Sequence, residues 1–124
     1  MHSILIVDND SEGVRVLGRT FATVDCFEVR AKAETELTAI EEARRHSPNL
    51  IVLGLPLPEA GLTRLVRELK KAAPKALIFL LTNHYDSVVE KRALSIGVAA
   101  VFSKFDDYEA LLQNARGLFE TDCA

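Results

Sequence analysis

Residues that could bind and transfer a phosphoryl group are spread along this chain of 124 residues, each directly after a predicted strand. They are Asp8, Asn9 and Asp10 after the first strand, Thr82 after the fourth and Lys104 after the fifth. Paired acidic side chains can hold Mg²⁺, which neutralises phosphate charge, and a further carboxylate can act as the nucleophile. A hydroxyl and an ammonium group can then bind the oxygens of the acyl phosphate. The third strand ends at Gly54, so the position where that nucleophile would be useful has no side chain.

The segment around Gly54 predicts a central strand of a parallel sheet. Residues 50–53 form a continuous apolar run bounded by prolines, which is typical of a strand covered on both faces. Pro56 and Pro58 cannot donate to a neighbouring strand, so the chain must leave the sheet there. In open parallel sheets the working surface lies beyond the carboxyl ends of the central strands. The alternative is that Gly54 serves only the turn before the two prolines.

Strands and helices are predicted to alternate five times. The predicted strands cover residues 3–7, 27–32, 50–53, 76–81 and 98–102. The predicted helices run from Asp10 or Ser11 to about residue 24 and then cover 35–45, 61–73, 86–96 and 107–119. Apolar residues at helical spacing predict one buried face for each helix, formed in the second by Leu37, Ile40 and Ala43.

This order predicts an α/β fold, a doubly wound (βα)5 three-layer sandwich of flavodoxin-like topology, in one domain over residues 1–124. Only the second strand alternates apolar and polar residues among the first four, so we place it at an edge. The five parallel strands then have the order 2-1-3-4-5. Asp8 and Gly54 are expected to face each other at the sheet edge, flanked by Thr82 and Lys104.

Charge and composition argue against several function classes. The formal net charge is −3, and Lys and Arg are spread along the chain, so we expect no direct contact with nucleic acid. A charge by position 8 argues against a signal peptide or membrane span at the start, and a cytoplasmic location is the default. Cys26 and Cys123 lack the spacing of a metal or redox motif, which predicts one buried and one terminal thiol.

Taken together, the chain resembles the receiver domain of bacterial two-component response regulators. The resemblance runs from Ile-Leu-Ile-Val-Asp-Asn-Asp at 4–10 to Phe-Ser-Lys at 102–104. Asp8 matches the family's first acidic-pocket residue, Asn9 falls where the second acid is usual, and Asp10 lies one place beyond. Gly54 falls on the aspartate that becomes phosphorylated, within a stretch that otherwise keeps the family's pattern.

The later strand ends extend the resemblance. Thr82 matches the hydroxyl residue that senses the phosphoryl group, and Lys104 matches the family's lysine. Phe102 matches the aromatic that changes rotamer on activation, while Phe105 replaces the proline expected after the lysine. Around residues 59–61 the loop is about one residue shorter than the family's pattern.

The departures at positions 9 and 54 predict a degenerate phosphorylation site without a resident cofactor. Glycine cannot form an acyl phosphate, and Mg²⁺ loses a ligand there, so we expect weak Mg²⁺ binding at most, at Asp8 and Asp10. Asp8 is better interpreted as the partner of Lys104 in a salt bridge, and Asp10 as a helix cap.

The remaining site residues have simple structural interpretations beside the functional ones. Thr82 can serve as a turn hydroxyl as readily as a sensor, and Phe102 fits the core better than a moving switch. His84, on the loop after Thr82, is expected to be solvated.

The leading hypothesis is an atypical receiver, not an enzyme, that acts by phosphorylation-independent protein contacts. Its partner would be an output domain, a kinase or another regulator, or a second copy bound through helix four, strand five and helix five. The residues expected on that face are Val88, Val89, Lys91, Arg92, Tyr108 and Glu109. One alternative is a receiver phosphorylated at Asp8 or Asp10. Another is a small-ligand domain on the same fold, with an anion or metabolite in the space left at Gly54.

Overall fold

Five parallel strands form one sheet of order β2-β1-β3-β4-β5, as the sequence predicts. The computed structural model describes residues 1–119. The strands are β1 (His2–Val7), β2 (Phe27–Ala33), β3 (Leu50–Leu53), β4 (Leu77–Thr82) and β5 (Ala100–Ser103). The helices are α1 (Ser11–Ala22), α2 (Glu36–His46), α3 (Glu59–Ala72), α4 (Ser87–Ser95) and α5 (Tyr108–Leu118).

Burial along the strands explains their order. All four residues of β3 are fully buried, as expected for a strand with neighbours on both sides and helices on both faces. In β2, exposed Glu28, Arg30 and Lys32 alternate with buried or half-buried residues, which suits an edge. The sheet therefore ends at the strand that can tolerate solvent.

Two apolar clusters, one on each face of the sheet, complete the three layers. On one face, α2, α3 and α4 cover alternate residues of β1 and β3 such as Leu5 and Ile51. On the other, α1 and α5 cover the neighbouring residues Ile4, Leu50 and Phe79. The side chains of successive strand residues point to opposite faces, so both faces of these strands must be apolar. The predicted doubly wound (βα)5 sandwich is confirmed.

The buried face of α2 differs from the prediction. Leu37 is 66% exposed, whereas Ala39 and Ala43 are fully buried and Ile40 is partly buried. Leu37 precedes Ala39 by two residues, which turns it about 200° around the helix and away from the sheet. The assignment of Leu37 to the buried face is therefore wrong. The small residues Ala39 and Ala43 form that face of α2 instead.

Several element boundaries also moved. α3 begins at Glu59, with Pro58 at the N-cap, two residues before the predicted start at Gly61. Proline suits this place because its missing N–H would have no partner in the first turn. β5 begins at Ala100 instead of Val98. Gly97 has φ +104°, in agreement with its predicted role after the end of α4.

Cys26 is half-buried beside the cluster under α1 and α5, and it is not a free thiol. The expectation of a free thiol there is wrong, and Cys123 lies outside the described residues. No helix within residues 1–119 has the length and apolar character needed to cross a membrane.

Candidate functional site

Parallel pairing brings the predicted site residues to one edge of the sheet. Asp8 and Gly54 follow Val7 and Leu53, which are paired in register, and Gly54 N–H donates to the Val7 carbonyl at 2.7 Å. At the neighbouring strand ends, Lys104 N–H donates to the Thr82 carbonyl at 3.0 Å. The strand ends that carry the predicted site residues therefore lie side by side, as expected.

Asp8 and Lys104 form a buried ion pair across this edge. Lys104 Nζ lies 3.2 Å from Asp8 Oδ1 and 3.1 Å from Oδ2, and the two side chains are 7% and 2% exposed. Asp8 Oδ1 also accepts a hydrogen bond from Asp10 N–H at 3.0 Å. Each charge is thus compensated where solvent cannot reach it. Loss of either partner would leave the other charge buried and unpaired. The salt bridge expected from the sequence is present.

The same ion pair fills the space that a side chain at position 54 would need. A Cβ placed on Gly54 would lie 2.6 Å from Asp8 Oδ2 and 3.2 Å from Lys104 Cε. Contacts this short require the neighbouring atoms to move. The Asp8 carboxylate and Lys104 therefore take up the space directly at the Cβ position of residue 54.

The acidic residues at this edge do not fit a magnesium site. Asp10 caps α1, with its Oδ1 accepting from Glu12 N–H at 3.1 Å, as its helix-cap interpretation predicts. Asn9 is exposed, and Asp8 is occupied by Lys104. Within residues 1–119 no three acidic, histidine or cysteine side chains converge on one point. Mg²⁺ requires several oxygen ligands in octahedral geometry, so this donor set does not supply its site.

Thr82 and Phe102 have local structural partners. Thr82 Oγ1 accepts from the backbone N–H of His84 at 3.1 Å, and the His84 side chain is exposed. Phe102 is 7% exposed and its ring lies 5.2 Å from that of Phe79. These contacts agree with a turn hydroxyl, a core aromatic and a solvated histidine.

Tyr108 is the clearest difference from the sequence-based site. It is 5% exposed, so its assignment to an interaction surface is wrong. Its hydroxyl is buried without a hydrogen-bond partner among the described residues. Burial raises the pKa of this phenol, the nearby backbone of Phe105 acts in the opposite direction, and the charges of Asp8 and Asp10 add smaller increases. Helical spacing could have placed it correctly, because Tyr108, Leu111 and Ala115 recur on one face of α5.

The remaining residues expected on the interaction face divide into two groups. Val88 is 54% exposed, and Lys91 and Glu109 are also exposed. Val89 is half-buried and Arg92 reaches across to α3, so both face a cleft between α3 and α4. The Arg92 side chain is nevertheless 63% exposed, so Val89 is the residue of this set that is partly buried.

This cleft was not foreseen from the sequence. It has a volume of about 490 Å³ and extends from Gly54, Thr82 and Lys104 to the space between α3 and α4. Arg92 Nη1 on α4 lies 2.8 Å from Glu59 Oε2 on α3, which joins the two walls. The cleft depends on how far apart two helices pack, and no short sequence pattern specifies that distance.

Known proteins with similar sequences include a chemotaxis protein and a transcriptional regulatory protein. The chemotaxis protein CheY of Bacillus subtilis (strain 168) is 33% identical over 79 residues, which cover 64% of this chain and 65% of that protein. The transcriptional regulatory protein DegU of Brevibacillus brevis is 26% identical over 113 residues, 89% of this chain and 47% of that protein. The chain thus spans less than two thirds of the length of either relative.

Similar solved structures cover nearly the whole chain. A response regulator from Thermotoga maritima superposes with a TM-score of 0.85 at 17% identity, covering 97% of this chain and 98% of that one. A LuxR-family two-component response regulator from Aurantimonas sp. SI85-9A1 gives 0.84 at 22% identity, covering 100% and 89%. At these identities the likeness shows the fold.

The family itself follows from a sequence model. The model of the response regulator receiver domain matches residues 4–116, which include every strand end described above. With its five-stranded sheet of order 2-1-3-4-5, the chain belongs to the response regulator receiver domain family.

Proposed function

We propose that this chain is an atypical receiver domain that signals through protein contacts without being phosphorylated. The observation that carries this function is the site at Gly54, where the acceptor side chain is missing and the Asp8–Lys104 ion pair occupies its place. Receiver domains are signalling modules, and the domain is proposed to have no catalytic activity of its own.

Chemistry supports the loss of phosphoryl transfer at position 54. An acyl phosphate forms when a carboxylate oxygen attacks phosphorus, and glycine has no such oxygen. Lys104, which the resemblance assigns to the phosphoryl oxygens, already holds Asp8 at both carboxylate oxygens. The geometry therefore favours a single resting state of this edge.

The two substitute acceptors are poorly placed. The Asp8 carboxylate is 2% exposed and paired with a lysine, which lowers its availability to a phosphodonor. Asp10 is engaged at the amino end of α1. Neither carboxylate belongs to β3, and both contacts would have to break before phosphorylation.

The proposed partner is an output domain, a kinase or another regulator, or a second copy of this chain. The matched region covers only 47% of DegU, which is compatible with a receiver that works beside another domain. Exposed Val88, Lys91 and Glu109, on α4 and α5, provide a mixed apolar and charged surface for that contact.

Intact-protein mass spectrometry after incubation with acetyl phosphate and Mg²⁺ tests this function. We expect no phosphoryl adduct on the native chain and an adduct on the Gly54→Asp variant, which restores the missing carboxylate. The matched control is Gly54→Asn, which adds a side chain of the same shape without a nucleophilic carboxylate and should remain unmodified.

A base-labile adduct on the native chain would contradict the proposed function, because a substitute acceptor would then exist. Repeating the reaction with Asp8→Asn and Asp10→Asn variants would identify that acceptor. A native chain that stays unmodified while Gly54→Asp reacts would identify an otherwise intact receiver that lacks only its acceptor.

A further inference from the structure

We propose that the cleft between α3 and α4 binds a small, mainly apolar organic acid, with Arg92 holding its carboxylate. Such a ligand would give the phosphorylation-independent receiver an input, so this site deepens the proposed function. Nothing in the phosphoryl-transfer chemistry requires it, and the two can fail separately.

The shape and walls of the cleft suit a small apolar molecule. Its volume of about 490 Å³ lies within the range of roughly 300–1,000 Å³ that is typical of small-molecule sites. Leu57 and Leu62 line it from the α3 side, and Val89, Ala93 and Ile96 line it from the α4 side. Burial of an apolar ligand body against these side chains would be favourable.

The cleft offers one cation, Arg92, to an acidic ligand. Arg92 and Lys104 are the cationic side chains of the lining, against the single carboxylate of Glu59. Lys104 is held by Asp8 and is 7% exposed, so it is not free to turn toward a ligand. Arg92 is the cation that can bind the carboxylate of a ligand.

Arg92 can change partners at little cost. The Arg92 and Glu59 side chains are 63% and 66% exposed, and exposed ion pairs contribute little to stability. Among the described residues, the guanidinium donates only its Nη1 hydrogen bond to Glu59, which leaves further N–H groups for a carboxylate. A ligand carboxylate could bind these groups in the planar, two-bond arrangement that guanidinium favours.

The test is a titration of the ¹⁵N-labelled chain with sodium octanoate, followed by two-dimensional NMR. Octan-1-ol, with the same number of carbon atoms and no charge, is the matched probe. We expect saturable shifts confined to α3, α4 and the loop after β4, with octanol binding more weakly.

Two adjacent substitutions on α4 locate the site. Val89→Trp places a large ring in the cleft and should abolish saturable octanoate binding. Val88→Trp adds the same ring to the exposed side of α4 and should leave binding unchanged, which controls for any general effect on the helix. Thermal unfolding of both variants checks that each is folded.

Arg92→Gln tests the charge. We expect octanoate affinity to fall on the order of ten-fold, toward that of octanol, while octanol affinity stays the same. The site would be refuted by shifts that are scattered or non-saturable, by binding that survives Val89→Trp, or by equal loss of both probes in Arg92→Gln. Absence of octanoate binding would leave the mass-spectrometric test of phosphorylation unaffected, so the two conclusions are separable.

Discussion

The backbone of Gly54 lies so close to Asp8 that even a methyl group would meet its carboxylate. A Cβ on Gly54 would lie 2.6 Å from Asp8 Oδ2, and the carboxylate cannot move away without loosening its contact with Lys104. Glycine at position 54 therefore does two things: it removes the phosphoryl acceptor, and it leaves the space that the buried ion pair occupies.

Gly54→Ala is expected to lower the free energy of unfolding by about 1–3 kcal/mol, because the added atom overpacks the ion pair. Gly18→Ala is the control, since a Cβ there meets nothing within 4 Å inside α1. It should raise stability by about 0.5–1 kcal/mol through the better helix propensity of alanine. Urea unfolding measures both, and a Gly54→Ala variant as stable as the native chain would show that Asp8 moves freely.

Tyr108 predicts a stability change at alkaline pH. Burial raises the pKa of its phenol in the folded state, so the unfolded chain loses this proton first as pH rises. The stabilising contribution is complete below about pH 10 and is lost as pH rises through the folded pKa. Native stability should therefore fall more steeply above about pH 10 than that of Tyr108→Phe.

The measurement is urea unfolding of the two proteins at a series of pH values. Parallel profiles for the native chain and Tyr108→Phe would show that this phenol does not have a raised pKa.

At the scale of elements, the connection from β5 to α5 carries backbone strain. Phe105, directly after Lys104, has φ +65° in the left-handed region, where a side chain is unfavourable. Its ring is 48% exposed and contacts the ring of Tyr108 at a centroid distance of 5.7 Å. This loop holds the end of the strand that delivers Lys104 to Asp8.

Phe105→Gly and Phe105→Ala separate strain from ring contact, because both lose the ring and only glycine relieves the backbone. We expect Phe105→Gly to be about 1 kcal/mol more stable than Phe105→Ala in urea unfolding. If alanine proved equal or better, the left-handed conformation would not be a source of strain in this loop.

At the scale of the whole molecule, the exposed side of α4 is the place proposed for a partner or a second copy. Val88 is 54% exposed there, and a neighbouring tyrosine, Tyr85, is 44% exposed. Leu37 is equally apolar and 66% exposed, but it lies on α2, on the far side of α3. Val88 and Leu37 are both exposed apolar side chains, so the same substitution at each compares two places on the surface.

Sedimentation equilibrium at rising protein concentration tests self-association. If a second copy binds α4, Val88→Glu should weaken the dimer by placing a charge in its apolar contact, whereas Leu37→Glu should leave it unchanged. A native chain that stays monomeric throughout, or equal effects of both variants, would argue against a homodimer through this face.

The sequence by itself determined the order of the sheet, the family and the meeting of Asp8, Gly54 and Lys104 at one edge. Apolar runs, edge alternation and strand ends are local patterns, and parallel pairing converts them into neighbours with little freedom. The same local logic correctly assigned Asp10 to a helix cap. Tyr108 could also have been placed inside by its spacing along α5.

Only the tertiary structure decided what occupies the space above Gly54 and where the cleft lies. Whether a missing side chain leaves a void depends on how neighbouring groups pack, and here the Asp8 carboxylate and Lys104 lie against the Cβ position of residue 54, while Gly54 also lines the cleft. The cleft depends on the spacing of α3 and α4 and on the Glu59–Arg92 contact, which joins residues 33 positions apart in the chain. Such distances arise from packing of whole elements, which local sequence patterns do not encode.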